Sequence, residues 1–393
     1  MATQLWTQVK AHVYHLQLIA TPVRLNVEHQ MDVTRSAESS AVMALLFLTA
    51  LGGTAWRLRQ QLGWTVLAVG WWVLFLLPTT LIPLIVLVNE HRIYLASLGV
   101  ILPLAVCISR FGGGRRVGSV SMATLALALY TIVLALLTMQ RVGDWESEVT
   151  LWADAATKSP QMLRPHLRLA DALLRERGEA AFAAAEASYL RAIALRPHHP
   201  ASRNNLGLLY RRMGRIASAE QQLRTLLQAS PDHVPARLNL ADLLLEDGRW
   251  QAADTQYDSA LIYEDTRGQA QIRKGQIALH SGHAETALAH FDAAIAAGAD
   301  EEADAHVGSG VALRKIGYPD LALEAYKRAT VRAPERSDLW YNFGNLYVDR
   351  DEFELAIAAY QRVVDNNDDE ELARRAAIRI RDLLVEPSYE NTH

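Results

Sequence analysis

The chain has 393 residues, 50% of them hydrophobic, with a net charge of −4 and a pI near 6.4. That balance excludes a nucleic-acid binder, which needs a basic stripe, and the single cysteine, Cys107, excludes an intramolecular disulfide. The mean hydropathy of +0.02 averages two unlike halves, because the apolar excess lies before residue 141.

Gln4–Ala20 places Leu5, Val9, His12, Val13, Leu16 and Ile19 at helical spacing, flanked by Trp6, Lys10 and Tyr14. This spacing predicts an amphipathic helix lying on a membrane surface, with His12 and His15 at the interface. The plainer alternative is a soluble packing helix. Lys10, two histidines and three glutamines argue against a cleavable signal peptide over Met1–Thr21. Four apolar runs follow: Ala37–Ala55, Leu62–Val88, Ile93–Ser109 and Val117–Met139. Each covers most or all of a hydrocarbon core, which takes about 20 helical residues, so four transmembrane helices are predicted. Arg57 and Arg59 lie in the first loop and Arg110, Arg115 and Arg116 in the third, whereas the second has only Arg92. The basic loops are therefore expected in the cytoplasm, and everything after the fourth run on the extracytoplasmic side.

The second loop carries Glu90, Arg92 and Tyr94 at a membrane boundary. One reading is an interfacial ion pair with Tyr94 as aromatic anchor. The other is that Arg92 binds a lipid-linked phosphate while Glu90 orients it. Residue physics alone favours the first.

From Leu163 to about Glu370 the sequence repeats six times. The clearest copy, Pro200–His233, carries Leu206-Gly207, Tyr210, Gly214, Ala219, Leu223 and Pro231. Counted within the copy, these are positions 7, 8, 11, 15, 20, 24 and 32. Later copies begin at Val234, Gly268, Ala303 and Ser337, and the first, Leu163–His199, is three residues longer. Small residues at 8 and 20 let two helices approach, large ones at 7, 11 and 24 fill between them, and glycine at 15 makes the turn. Such pairs must stack to bury their apolar faces. The pattern resembles the tetratricopeptide repeat of about 34 residues. Trp152, Ala155 and Pro160 read as a lone second helix, and Glu371–Leu384 as a cap.

In that family the first helix of each pair lines the inside of the superhelix. Position 6 is Asn205, Asn239 and Asn342 in three copies, and Arg168, Arg273 and Gly308 in the others. Carboxamides there can hold an extended peptide backbone, with Tyr341 and Asn345 extending the patch near Asn342, and Arg211 and Arg212 near Asn205. The alternative is that asparagine merely suits the fold. Thirteen histidines show no Cys or carboxylate at ligand spacing, so no metal site is expected.

Glu90-His91-Arg92-Ile93-Tyr94-Leu95-Ala96-Ser97 resembles the Glu-(x)-Arg-x-Tyr-Leu-Pro-Ser segment of the transmembrane-and-tetratricopeptide-repeat proteins, with Ala96 in place of proline. Pro22-x-x-Leu25-Asn26-x-Glu28-His29, Leu77-Pro78-Thr79-x-x-Ile82-Pro83, Trp145-x-x-Glu148-x-x-Leu151-Trp152 and Lys158-Ser159-Pro160 extend the likeness. The resemblance implies a multi-spanning O-mannosyltransferase-like protein that draws on a polyprenyl-phosphate sugar. The family's catalytic acids lie in an earlier part with no counterpart here. The resulting expectation is an all-α fold, a transmembrane helical bundle followed by a tetratricopeptide-repeat solenoid. Its regions are residues 1–36 (interfacial helix and loop), 37–140 (spans), 141–162 (half-repeat), 163–370 (repeats) and 371–393 (cap and tail). The expected role is a non-catalytic scaffold without cofactor, or the substrate-recruiting part of a glycosyltransferase. The alternative is a truncated or split protein O-glycosyltransferase. Partners would be a protein or peptide, membrane lipid and a separate glycosyltransferase half.

Overall fold

The structure, a computed structural model, describes residues 2–22, 25–29, 34, 37–60, 64–81, 93–111, 116, 117, 120–298 and 302–385. These residues are helical apart from turns, short connections and a ladder that pairs Arg116–Val117 with Val120–Ser121. The chain divides into two compact units, Met1–Ser202 and Arg203–His393.

The first unit holds α1 (Ala2–Ala20), α2 (Ser39–Leu58), α3 (Trp64–Leu81), α4 (Ile93–Phe111), α5 (Met122–Asp144), α6 (Glu148–Lys158), α7 (Leu163–Arg177) and α8 (Phe182–Leu195). Helices α2 to α5 coincide with the four apolar runs. Among the described residues only two of these helices contain stretches long and apolar enough to cross a membrane, Ser39–Arg57 and Thr124–Asp144. The apolar parts of α3 and α4 are shorter, Leu67–Leu76 and Leu95–Val106, so by length and composition two helices, not the four expected, are candidates to cross a membrane. The rest of the second run, after Leu81, lies outside the described residues.

Packing among these helices is uneven. Helices α3 and α4 pack closely because Gly99 has no side chain: a Cβ there would come within 2.7 Å of the Ala68 carbonyl oxygen. Trp71 Nε1 locks the pair by donating to the Leu95 carbonyl at 2.7 Å. Helix α1 lies against α2 and α3, whereas α5 packs against α6 and the short ladder. The face that α1 buries differs from its apolar stripe. Thr7, Gln8, Ala11, His15 and Leu18 are buried, and of the stripe Leu16 and Ile19 pack on Trp72, Leu76 and Ala96. His15 is thus inside the unit, and α1 is held partly by polar contacts: Thr7 Oγ1 accepts from the Thr34 N–H at 2.9 Å, and the Tyr14 hydroxyl meets His29 Nδ1 at 3.0 Å.

Helix α6 begins at a capping box in which Ser147 and Thr150 satisfy each other's backbone N–H groups. Arg141 at the end of α5 bridges Asp144 and Asp154, each at 2.7 Å, and so fixes the α5–α6 corner. The three extra residues of the first repeat are absorbed by a 3₁₀ turn, Gly178–Ala181, between α7 and α8.

The second unit stacks α9 (Pro200–Arg212, whose first three residues belong to the first unit), α10 (Ile216–Ala229), α11 (Val234–Glu246), α12 (Trp250–Ala260), α13 (Glu264–His280), α14 (Ala284–Ala296), α15 (Glu302–Ile316), α16 (Pro319–Arg332), α17 (Ser337–Asp349) and α18 (Phe353–Asn366). Each odd helix is the first of a pair. Helix α19 (Glu370–Val385) then takes the place of one more first helix, with Leu372, Ala376 and Ile380 against Tyr360 and Val363. Within each pair, position 8 is Gly207, Ala241, Gly275, Gly310 or Gly344. It lies beneath Leu223, Tyr257, Phe291, Tyr326 or Tyr360 at position 24, every one buried. A Cβ at Gly275 would stand 2.7 Å from the Phe291 ring, and one at Gly310 would overlap Tyr326. Burying each such ring contributes roughly 2–3 kcal/mol. The pairs turn at position 15 through a left-handed residue: Gly214, Gly248, Gly282 and Gly317, and in the last pair Asp351 with φ 58°.

Candidate functional site

In the second unit, first helices approach one another (α13 with α15, α15 with α17, α17 with α19) more than second helices do. The first-helix layer therefore lies on the inside of the curve. Along it, position 6 of one repeat reaches position 5 of the preceding one: Asn239 Nδ2 donates to Asn204 Oδ1 at 2.9 Å, and Asn204 Nδ2 donates to Asn205 Oδ1 at 3.4 Å. Asn205 and Asn239 are thus brought together, through a third amide that the reading of position 6 alone had missed.

Ion pairs continue the strip at positions 12 and 13. Arg211 grips Glu246 with two nitrogens, one at 2.8 Å, and Arg314 bonds Asp349 at 2.7 Å. The hydrogen bond to Glu246 raises the Arg211 pKa further. Arg273 stands 3.4 Å from Asp242. Position 9 has its own task. Tyr257 donates its hydroxyl to Asp242 at 2.5 Å, and Tyr360 donates to Asn345 at 2.8 Å. Burial, then the Asp242 charge, pushes the Tyr257 phenol upward. Tyr326 has no such acceptor, since position 9 opposite it is Val311; Arg314 lies near the hydroxyl without completing a hydrogen bond.

The remaining predicted residues divide. Asn342 is half-buried on α17, with no hydrogen bond to its side chain among the described residues. Asn345 is engaged by Tyr360, and Tyr341 packs on the same ring, centroids 5.4 Å apart, within the cluster that seats α19. These two therefore serve the cap. Glu90 and Arg92 lie outside the described residues, as does the Tyr94 side chain. His280, one of the histidines weighed for a metal, stacks on Trp250 at 3.9 Å.

The first unit has a polar centre of its own, where residues 25–29 meet the turn between α6 and α7. Asn26, Glu28 and Ser159 are buried there. Asn26 Nδ2 donates to Ser159 Oγ at 2.8 Å, and Ser159 Oγ donates to the Glu28 carbonyl at 2.8 Å. Lys158 Nζ donates to the Leu25 carbonyl at 2.8 Å, and Arg164 stands 2.8 Å from the Glu28 carboxylate. Burial pushes the Glu28 carboxyl above its ordinary range, opposed by Arg164 and then Arg168. An apolar cavity of about 360 Å³ also lies among α1 to α4, between His12, Leu51, Trp72 and Gly99.

The tetratricopeptide-repeat family model matches residues 167–234, 204–270, 238–302, 272–337 and 307–371, together more than half of the sequence, and the chain belongs to that family. Comparison with curated proteins gives no match. Among solved structures, a tetratricopeptide repeat protein from Parabacteroides merdae is similar at 16% identity, over 64% of this chain and 98% of that one, with a TM-score of 0.49. YrrB, described as a TPR protein with an unusual peptide-binding site, is similar at 19% identity over 48% and 97%, with a TM-score of 0.37. The MamA protein is similar at 20% identity over 42% and 90%, with a TM-score of 0.37.

Proposed function

We propose that this chain is a protein-binding scaffold, fixed to a membrane by its apolar helices, that grips an extended partner segment along the inner layer of its repeats. The observation that carries the reading is the amide run joining Asn239 to Asn204 and Asn205 across adjacent repeats. A carboxamide has two donors and two acceptor lone pairs, so each keeps capacity for a ligand backbone. Membrane attachment is supported by the outward apolar side chains of the first unit, such as Leu129 at 64% and Met139 at 73% exposure. The arginine-bearing loops favour extracytoplasmic repeats.

The test compares the full-length chain with its Asn204→Ala/Asn239→Ala variant. A partner captured on the wild type is expected to bind the variant about tenfold more weakly, as two lost hydrogen bonds imply. Equal affinity with unchanged circular dichroism sinks the reading. For the topology, Gly114→Cys is expected to be shielded from an impermeant thiol reagent in intact cells, and Ser388→Cys to react, both in a Cys107→Ser background.

A second, finer reading makes the scaffold the substrate-recruiting part of a glycosyltransferase system that uses a polyprenyl-phosphate sugar, with Glu90, Arg92 and Tyr94 at the lipid phosphate. It is supported by the likeness of residues 90–97 to the transmembrane-and-tetratricopeptide-repeat proteins. Under it the purified chain alone transfers no sugar to peptides, and turnover above a heat-killed control would show the non-catalytic assignment to be wrong.

A further inference from the structure

The contact between residues 25–29 and the α6–α7 turn is built like a ligand in a site. Two carbonyls, of Leu25 and Glu28, are held by side chains of the turn, Lys158 and Ser159. One amide side chain, Asn26, reads the same Ser159 hydroxyl and folds the segment by accepting the Glu28 N–H at 3.2 Å. One carboxylate, Glu28, meets Arg164, with Arg168 contributing charge from one turn further along α7. Arg168 is position 6 of the first repeat, the place that Asn205 and Asn239 occupy in the second unit. The segment therefore lies within the electrostatic reach of that position in the first repeat.

The chemistry of the contact is polar and separable. Its parts lie 133 residues apart in sequence, and its hydrogen bonds run from side chains to backbone or between side chains. Glu28 is 2% exposed, yet among the described residues its Oε2 accepts no hydrogen bond. A carboxylate buried half-satisfied is held less firmly than a fully paired one, because its desolvation is only partly offset. That is a property of an exchangeable occupant, and it is unlike the ring-on-glycine contacts of the second unit.

We infer that Lys158, Ser159 and Arg164 form a peptide-binding site for a short Asn-x-Glu segment, occupied in this structure by the chain's own Asn26–Glu28. The same three side chains would accept an Asn-x-Glu segment from another polypeptide once the internal one is displaced. The inference concerns the first unit only, so it can fail while the reading of the second unit stands, and the reverse.

The experiment uses the full-length chain and two readouts. Hydrogen exchange across residues 25–29 is compared in wild type, Glu28→Lys, Arg164→Glu and the double charge swap. Each single variant should speed exchange by about tenfold or more through the like-charge contact it creates, and the swap should restore protection. A fluorescent peptide containing Leu-Asn-Val-Glu-His is then titrated. It should bind the Glu28→Lys chain, whose site is vacated, but not the self-occupied wild type or the Arg164→Glu chain. Asn26→Ala is a milder, uncharged release that should also open the site, and exchange in α8 reports whether the unit stays folded. Unchanged exchange at 25–29 in both single variants overturns the proposal. So does opening of the segment, in a folded chain, without peptide binding.

Discussion

The two units differ in the balance of what they bury and what they expose. In Arg203–His393 the rings of Tyr257, Phe291, Tyr326 and Tyr360 are wholly inside. In Met1–Ser202 the inside includes Thr7, Gln8, His15, Asn26, Glu28 and His29, while Leu67 on α3 is 75% exposed and the apolar residues of α5 face outward. Both units are helical, and both contain runs of leucine and alanine. An apolar stripe records that a helix seeks an apolar neighbour, but not whether that neighbour is protein or lipid. In the second unit the neighbour is the next helix; in the first, the outward faces support the membrane reading.

The largest expected effect tests this contrast. Gly310→Ala should destabilise the repeats by about 1–3 kcal/mol, because the new methyl overlaps a ring that has no room to move. Leu129→Ala on the exposed face of α5 should leave the same thermal transition, followed by circular dichroism, unmoved. Equal shifts would erase the distinction between the two units.

Next come the tyrosines. Tyr257→Phe deprives Asp242 of its hydrogen bond and should cost about 1–2 kcal/mol. Tyr326→Phe removes a hydroxyl that has no well-formed bond, so it should change stability by less than about 0.5 kcal/mol. Denaturant titration of the two variants separates them, and a reversed order would show that Arg314 satisfies Tyr326 after all.

Smaller still are the turns. Gly248→Ala forces a methyl into a left-handed turn at φ 73° and should cost about 1 kcal/mol. Asp351→Gly relieves the same conformation and should gain a few tenths, about 0.5 kcal/mol at most. Melting temperatures should move in opposite directions.

The smallest effect is one of pH. Burial raises the folded pKa of Glu28 above its unfolded value. The closed segment therefore binds that proton more tightly than the open one. Its stability should be greatest below the ordinary carboxylate range and fall as pH rises through the raised value. Hydrogen exchange at 25–29, corrected for intrinsic rates, should show that decline in wild type and not in Glu28→Gln. The same slope in the variant would show that Glu28 is not its source.

The repeats were legible because their signal is local and periodic. Gly214, Gly248, Gly282 and Gly317 mark turns directly, and the phase they set places Asp351 in the same conformation although its residue type does not announce it. The place of Asn205 and Asn239 on one strip followed from the same phase. Asn204 escaped because only position 6 was followed, not its neighbour across the stack. Asn345 and Tyr341 both meet the Tyr360 ring, which comes from the next helix, α18, a contact that repeat position alone does not announce. In the first unit, the buried face of α1 could not be read from its stripe, since Thr7, Gln8 and His15 go inside, Thr7 to meet Thr34. The joining of Asn26 and Glu28 to Ser159 has no periodicity at all. Those residues stood out only as pieces of a family likeness, with nothing to say that they touch.

That last contact has a consequence for how the protein is made. Asn26 and its partner Ser159 are separated by 133 residues, and at roughly 5–20 residues per second a ribosome takes on the order of 10 s to travel between them. During that interval Glu28 and Asn26 have no turn to fold against and stay hydrated, while the apolar runs between them emerge and find their own surroundings. The N-terminal segment can close only after everything up to α7 has been synthesised. Seating it is therefore a late step in assembling the first unit, and a chain halted before Arg164 leaves that step undone.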